Sequence, residues 1–234
     1  MIRRRSLLPF LALAAAAAAG PPAEAADPAH PVVVELFQSQ GCSSCPPANA
    51  NLLTIVDRPD VLALSFGVTY WDDLGWKDTF AKPQFTARQW DYAHGLGHTQ
   101  VFTPQVVVNG RKDGVGADPH AFQSLIAEGD RGPRGPSLTL AGGAVAIGAG
   151  AVARPADVWL VRYDPRTVQV PIQRGENGGK TLPHRNVVKA LVRLGAWDGQ
   201  AASLRLPPAA DPTLKTAVFL QLPRGGPILA AVKG

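Results

Sequence analysis

The two cysteines of the chain, Cys42 and Cys45, stand three residues apart within VVVELFQSQGCSSCPPANANLL, residues 32–53. Side chains at i and i+3 share one face of a helix, so the two sulfurs can reach disulfide distance with little backbone movement. The apolar run Val32–Phe37 ends in a turn at Gln38–Gly41, and the cysteines then open what reads as a helix. The free N–H groups and the positive dipole end at such a helix start favour an anion, here the thiolate of Cys42. Cys45, one turn inward, is then the resolving thiol. An accessible attacking sulfur with a second behind it is the arrangement that thiol-disulfide exchange uses. Two other uses compete. A copper or zinc site needs further ligands, and His30, His94, His98, His120 and His184 are scattered along the chain. A structural disulfide closing so short a loop removes little chain entropy.

The compartment decides how a thiol pair is read. Arg3, Arg4 and Arg5, the apolar stretch Leu7–Ala19 and the small-residue pattern Ala23-Glu24-Ala25 predict a secretory signal peptide over residues 1–25. That apolar stretch is short for a bilayer span of about 20 residues, and no later segment is long and apolar enough for stable membrane insertion. The expected location is therefore outside the cytoplasm, in the periplasm of a Gram-negative bacterium or secreted, where thiol pairs form and persist as disulfides. Loss of residues 1–25 removes three arginines and one glutamate, and the formal net charge falls from +5 to +3. The remaining Lys and Arg alternate with acids, which excludes the concentrated basic face that nucleic-acid binding needs.

The elements that must position the cysteines are legible in outline. Val32–Phe37 and Val61–Phe66 read as strands buried on both faces, and the helix between them, from Cys42 to about Asp57, makes a βαβ unit. Pro46 and Pro47 are tolerated near its start. An aromatic-rich segment follows, with a helix from Pro83 to about Gly95. Next come a strand at Gln105–Val108, an Asn109-Gly110 hairpin turn and a helix with Asp118 as N-cap and Pro119 at its first position. After the turn-rich GDRGPRGP, residues 129–136, short apolar runs recur from Ser137 to Val232, the pattern of an antiparallel sandwich or barrel. The expected fold is an α/β domain over residues 30–132 followed by a β-rich, sandwich-like domain over 133–234, mixed α+β overall.

The βαβ unit, the CxxC at a helix start and the later Thr103-Pro104 opening a strand together resemble the thioredoxin fold. More narrowly, ELFQSQGCSSCPPA, YWDDLGWKDTFAKPQFTARQWDYA, VFTPQVVVNG and RGENGGKTLPHRNVV resemble the DUF1223 family of exported thioredoxin-like proteins, across most of residues 33–188. This resemblance implies a thioredoxin-like domain over 30–132, with a cis proline at Pro104 facing the cysteines. It implies that Thr103 and Pro104 hold the backbone of a substrate peptide. It also implies a buried acid on the first strand that accepts the proton of the resolving thiol. Glu35 is the candidate, seven residues ahead of Cys42 where the wider fold has six, and one extra residue such as Gly41 reconciles the two.

Other features carry less. In RGENGGKT, residues 174–181, Arg174 replaces the first glycine of a phosphate loop, and Asn177-Gly178 signals a hairpin instead. The segment is an exposed hairpin tip or a polar loop reaching back to the cysteines. Trp71, Trp76 and Trp90 are expected to pack the core or to offer an apolar surface to a partly folded client. His98 is a solvated loop residue or, of the histidines, the one expected nearest the dithiol. The reading is thus an exported thiol-disulfide oxidoreductase acting on proteins with thiols or disulfides, with Cys42 attacking and Cys45 resolving. It requires no organic cofactor and no metal, and a separate redox partner regenerates the dithiol. The alternatives are a Cu(I)-binding carrier and a non-catalytic interaction module.

Overall fold

The computed structural model describes residues 25–234, so all of the expected signal peptide except Ala25 lies outside the described residues. Strand β1 (Val32–Gln38) is buried along its whole length. It pairs in parallel with β2 (Val61–Gly67), from Val32 opposite Val61 to Gln38 opposite Gly67. A parallel pair needs a crossover, which is supplied by helix α1 (Cys45–Leu53). On its other side β1 pairs antiparallel with β3 (Gln105–Val108). The Asn109-Gly110 turn, with φ of 48° and 60°, returns the chain as β4 (Lys112–Gly114). Helix α2 is Pro83–Leu96. Helix α3 is Pro119–Gly129, with Asp118 Oδ1 accepting the Ala121 N–H at 2.8 Å.

Helix α1 starts at Cys45, with Ser44 as N-cap, and not at Cys42 as the sequence suggests. The prolines explain the shift. Had the helix begun at Cys42, Pro46 would stand where an N–H donates back to residue 42, and proline has none. Starting at Cys45 puts Pro46 and Pro47 among the first-turn positions whose N–H groups lack intrahelical acceptors anyway.

The remaining strands are β5 (Leu138–Ala141), β6 (Ala144–Ile147), β7 (Ala156–Asp164), β8 (Val168–Pro171), β9 (Thr181–His184), β10 (Val187–Trp197), β11 (Ala202–Arg205), β12 (Lys215–Gln221) and β13 (Ile228–Lys233). Four of them do not stand apart from the first half. The largest sheet has the order β13-β12-β7-β10-β2-β1-β3-β4, so it runs unbroken across residue 133. The junction is narrow: Val187 of β10 sits opposite Ser65 of β2, and the Asn186 side chain donates to the Ala63 carbonyl at 2.8 Å. Strands β11, β6 and β5 form a separate sheet, and β8 pairs with β9. Among the described residues the protein is a mixed α+β fold, mostly sheet, with three helices.

Strand alternation sorts the core. Val33, Phe37 and Phe66 pack with Phe85 and Tyr92 of α2 and, across the junction, with Val161 of β7 and Phe219 of β12. The opposite face of β1, with Val34 and Leu36, is covered by Ala48 and Leu52 of α1 and Phe122 of α3. Val158 and Leu160 of β7 pack against Val145 and Ile147 of β6, so the small sheet is a second layer over this half. Helix α2 therefore binds both halves together from one side. Among the described residues no helix is long and apolar enough to cross a membrane.

Candidate active site

The cysteines lie where β1 runs out of the sheet. The turn after β1 is fixed by its neighbours: the Gln40 N–H donates to Asp78 Oδ2 at 2.7 Å, and Gln40 Oε1 accepts from Trp76 Nε1 at 2.9 Å. Asp78 is buried, which raises its pKa, although hydrogen bonds from the Gln40 and Phe80 backbones oppose the rise. The Cys42 N–H then donates to the Ser39 carbonyl at 3.1 Å, and the Cys45 N–H to the Cys42 carbonyl at 3.2 Å. Their sulfurs are at disulfide distance, with the Cα atoms 5.4 Å apart. Both are buried, at 0% and 1% exposure.

Ser44 links the cysteines to the start of β3. Its Oγ lies 3.3 Å from Cys42 Sγ and 3.5 Å from the Thr103 carbonyl oxygen. The Thr103–Pro104 peptide bond is cis. Thr103 is held in turn by Trp71, whose Nε1 donates to Thr103 Oγ1 at 2.7 Å. Four expected residues, Cys42, Cys45, Thr103 and Pro104, thus converge at one end of the sheet. Trp71 packs against the core, and the indole N–H groups of Trp71 and Trp76 also brace the two turns that meet there.

Glu35 is not among them. It shares the face of β1 that carries Val33 and Phe37, under α2, whereas Cys45 begins the helix on the other face. Its carboxylate accepts from Arg88 Nε at 2.7 Å and Nη2 at 3.0 Å, and also from the Tyr92 hydroxyl. The strand period of two puts Glu35 on the face of β1 opposite α1, where Arg88 and Tyr92 engage its carboxylate. His98 pairs with Asp113, its Nε2 lying 2.9 Å from Asp113 Oδ2.

The segment between β8 and β9 supplies what the sequence left open. It reaches back to the turn that carries Cys42. Asn177 is fully buried, and its Nδ2 donates to the carbonyls of Gln40 at 3.0 Å and Cys42 at 2.8 Å. Glu176 Oε2 accepts the Ser43 N–H at 3.0 Å. Hydrogen bonding from the Ser43 side chain, with the Ser43 N–H adding to it, holds the Glu176 carboxyl below its ordinary pKa. A carboxylate therefore holds the backbone one residue ahead of the α1 N-cap, and a buried asparagine ties down the Cys42 carbonyl. His184, at the end of β9, is also buried beside the site. Burial, with the Lys189 charge adding to it, lowers its pKa to about 4. Among the described residues no three His, Cys, Asp or Glu side chains are grouped to hold a metal ion.

Comparison with known proteins finds two solved structures of similar shape. A crystal structure of a protein from Agrobacterium tumefaciens is 36% identical with a TM-score of 0.70, and the match covers 86% of this chain and 92% of that one. HBP35 of Porphyromonas gingivalis, at 17% identity and a TM-score of 0.60, covers 88% of this chain and 74% of its own, a likeness of fold alone. No curated protein matches the sequence. Residues 33–221 match the family described as "Protein of unknown function (DUF1223)".

Proposed function

The chain belongs to the DUF1223 family, and from that premise we propose that it is an exported, thioredoxin-like thiol-disulfide oxidoreductase acting on protein thiols through Cys42 and Cys45. The observation that carries this reading is the convergence of the cysteine pair, at the mouth of α1, with Thr103-Pro104 at the mouth of β3, joined through Ser44 Oγ. A lone structural disulfide has no need of a second turn braced against it by Trp71.

In the oxidising direction a substrate thiolate attacks Cys42 Sγ. The Cys42–Cys45 bond breaks, a substrate–Cys42 mixed disulfide forms, and the electron pair leaves on Cys45 as thiolate. A second substrate thiolate attacks the substrate sulfur of that mixed disulfide, releasing the oxidised substrate and the reduced pair. A partner disulfide then takes the two electrons. In the reducing direction the Cys42 thiolate attacks a substrate disulfide, and Cys45 resolves the mixed disulfide by attacking Cys42 Sγ. The backbone at Thr103-Pro104 lies beside the sulfurs, where an extended peptide can pair with it. Cys42 is fully buried and its carbonyl is tied to Asn177, so in this reading exchange proceeds from a form in which the β8–β9 connection has swung out.

The test is transfer between the purified protein and a peptide dithiol. Wild type exchanges, and Cys42→Ser does not. Given the same peptide in its disulfide form, Cys45→Ser accumulates a mixed disulfide at Cys42, seen by mass, because its Cys42 thiolate attacks the peptide disulfide and no second thiol of the protein resolves the adduct. Transfer that survives Cys42→Ser, or its absence from the wild type, overturns the reading. Cell fractionation with the mature N-terminus sequenced tests export separately.

A further inference from the structure

Resolution of a mixed disulfide has a chemical requirement that Glu35 does not meet. The attacking species is the thiolate, and a thiol enclosed in apolar surroundings holds its proton. Cys45 is enclosed: it forms part of the wall of a cavity of about 110 Å³ between α1 and β9. The other walls are mainly apolar, with Pro46 and Leu53 of α1 and Leu182 of β9 among them. Gln38, Ser39 and Asn49 add polar groups, but none of these takes up a proton near neutral pH. Gln38 and Asn49 are also engaged already. The Gln38 amide donates to Asn49 Oδ1 at 2.9 Å, and Asn49 Nδ2 donates to the Pro183 carbonyl at 2.7 Å.

One proton acceptor remains on that wall. His184 lines the same cavity, is 3% exposed, and its Nε2 is buried with no hydrogen-bond partner. Buried ring nitrogens are ordinarily paired, and an exception asks for a reason. The ring is fixed by packing: Phe80 meets it edge-on with centroids 5.5 Å apart. The charged group acting on it is Lys189 of β10, which itself faces Asp164, Lys82, Arg166 and Asp78. The ring is therefore neutral at physiological pH, and in the tautomer that carries its proton on Nδ1 the unpartnered Nε2 offers a lone pair, opposite a thiol that must be deprotonated.

We propose that His184 Nε2 takes the proton of the Cys45 thiol across this cavity when Cys45 resolves the mixed disulfide. The inference rests on the oxidoreductase reading of the cysteine pair. In the step, the S–H bond of Cys45 breaks and its proton passes to His184. The sulfur electron pair forms the bond to Cys42 Sγ, and the Cys42–substrate bond breaks. The substrate sulfur leaves as thiolate, and the imidazolium returns its proton to that thiolate or to solvent. No external oxidant or reductant enters beyond the substrate disulfide itself.

The experiment uses the reduced protein and Ellman's reagent, which releases one coloured thiolate when Cys42 is modified and a second when Cys45 resolves the adduct. In the wild type the second phase changes by less than about threefold between pH 8 and pH 6, because His184 carries the proton. In His184→Asn and His184→Phe it follows the thiolate fraction of a thiol with pKa about 8.5 and falls by close to 10²-fold over the same interval. If both phases are present and the variants share the wild-type pH profile, the His184 proposal is wrong while the oxidoreductase reading stands. If the wild type gives no release at Cys42, the oxidoreductase reading falls and this inference with it. A measurement on the wild type alone covers variants that do not fold. By NMR the His184 ring titrates near the value of about 4 expected with the disulfide closed, and lower once the pair is reduced, because the Cys45 S–H then bonds to the neutral ring and favours its uncharged form. Identical titrations in the two redox states refute the proposal.

Discussion

Asn177→Ala should unseal Cys42, and the size of the effect follows from the bonds it removes. Asn177 Nδ2 donates to the Gln40 and Cys42 carbonyls at 3.0 and 2.8 Å, both out of water. Each such bond contributes about 1 kcal/mol net, so the covered form loses about 2 kcal/mol relative to the uncovered one. At about 1.4 kcal/mol per factor of ten, the uncovered population rises roughly 30-fold. The readout is the rate at which a phosphine, at limiting concentration, reduces the Cys42–Cys45 disulfide in the folded protein. It should rise by that factor. Urea separates this from global unfolding: a local opening exposes little surface, so below the unfolding transition the rate should barely depend on denaturant. A folded Asn177→Ala protein reduced within twofold of the wild-type rate would refute the claim that this segment seals the site.

Two further outcomes follow from the buried charges. His184 binds a proton at about 4 in the folded protein against 6.5 for the free side chain, so between those values the unfolded chain holds more protons and stability falls with pH. The loss is complete below about pH 4 and amounts to roughly 3 kcal/mol. Urea titrations at pH 7 and pH 4 should show it, and His184→Phe should reduce the difference by that amount; an unchanged difference contradicts the argument. Arg88→Met leaves Glu35 buried without its partner, which costs about 3–5 kcal/mol and should lower Tm by roughly 10–15 °C. The Glu35→Leu/Arg88→Met pair should recover most of that. A single variant within about 3 °C of wild type would show that the pair is not what keeps Glu35 in the core.

What the sequence disclosed was local. Asn109-Gly110, Asp118-Pro119 and the cysteine spacing each carry their meaning within a few residues, and the structure has a hairpin turn, a capped helix start and a disulfide-distance pair at those places. Glu35 shows the limit. Alternation puts it with Val33 and Phe37, but which helix covers that face is decided by packing far along the chain, where Arg88 and Tyr92 of α2 meet it. The joining of the two halves was hidden for the same reason, since it rests on Val187 beside Ser65 and on the Asn186 side chain. Asn177-Gly178 reads as a turn wherever it lies; only the fold brings its amide to the Cys42 carbonyl. His184 has no local signal, because its interest lies in an unpaired nitrogen and a shared cavity.

The most direct test of the central claim is the redox equilibrium of Cys42 and Cys45 in defined thiol-disulfide buffers, with free thiols counted by mass and transfer to a peptide followed in parallel. The account predicts a reversible two-electron couple between about −270 and −120 mV, with thiols appearing in the peptide as they vanish from the protein, or the reverse. A pair that stays closed until below about −300 mV and passes nothing to the peptide would contradict it, and would leave the disulfide as structure.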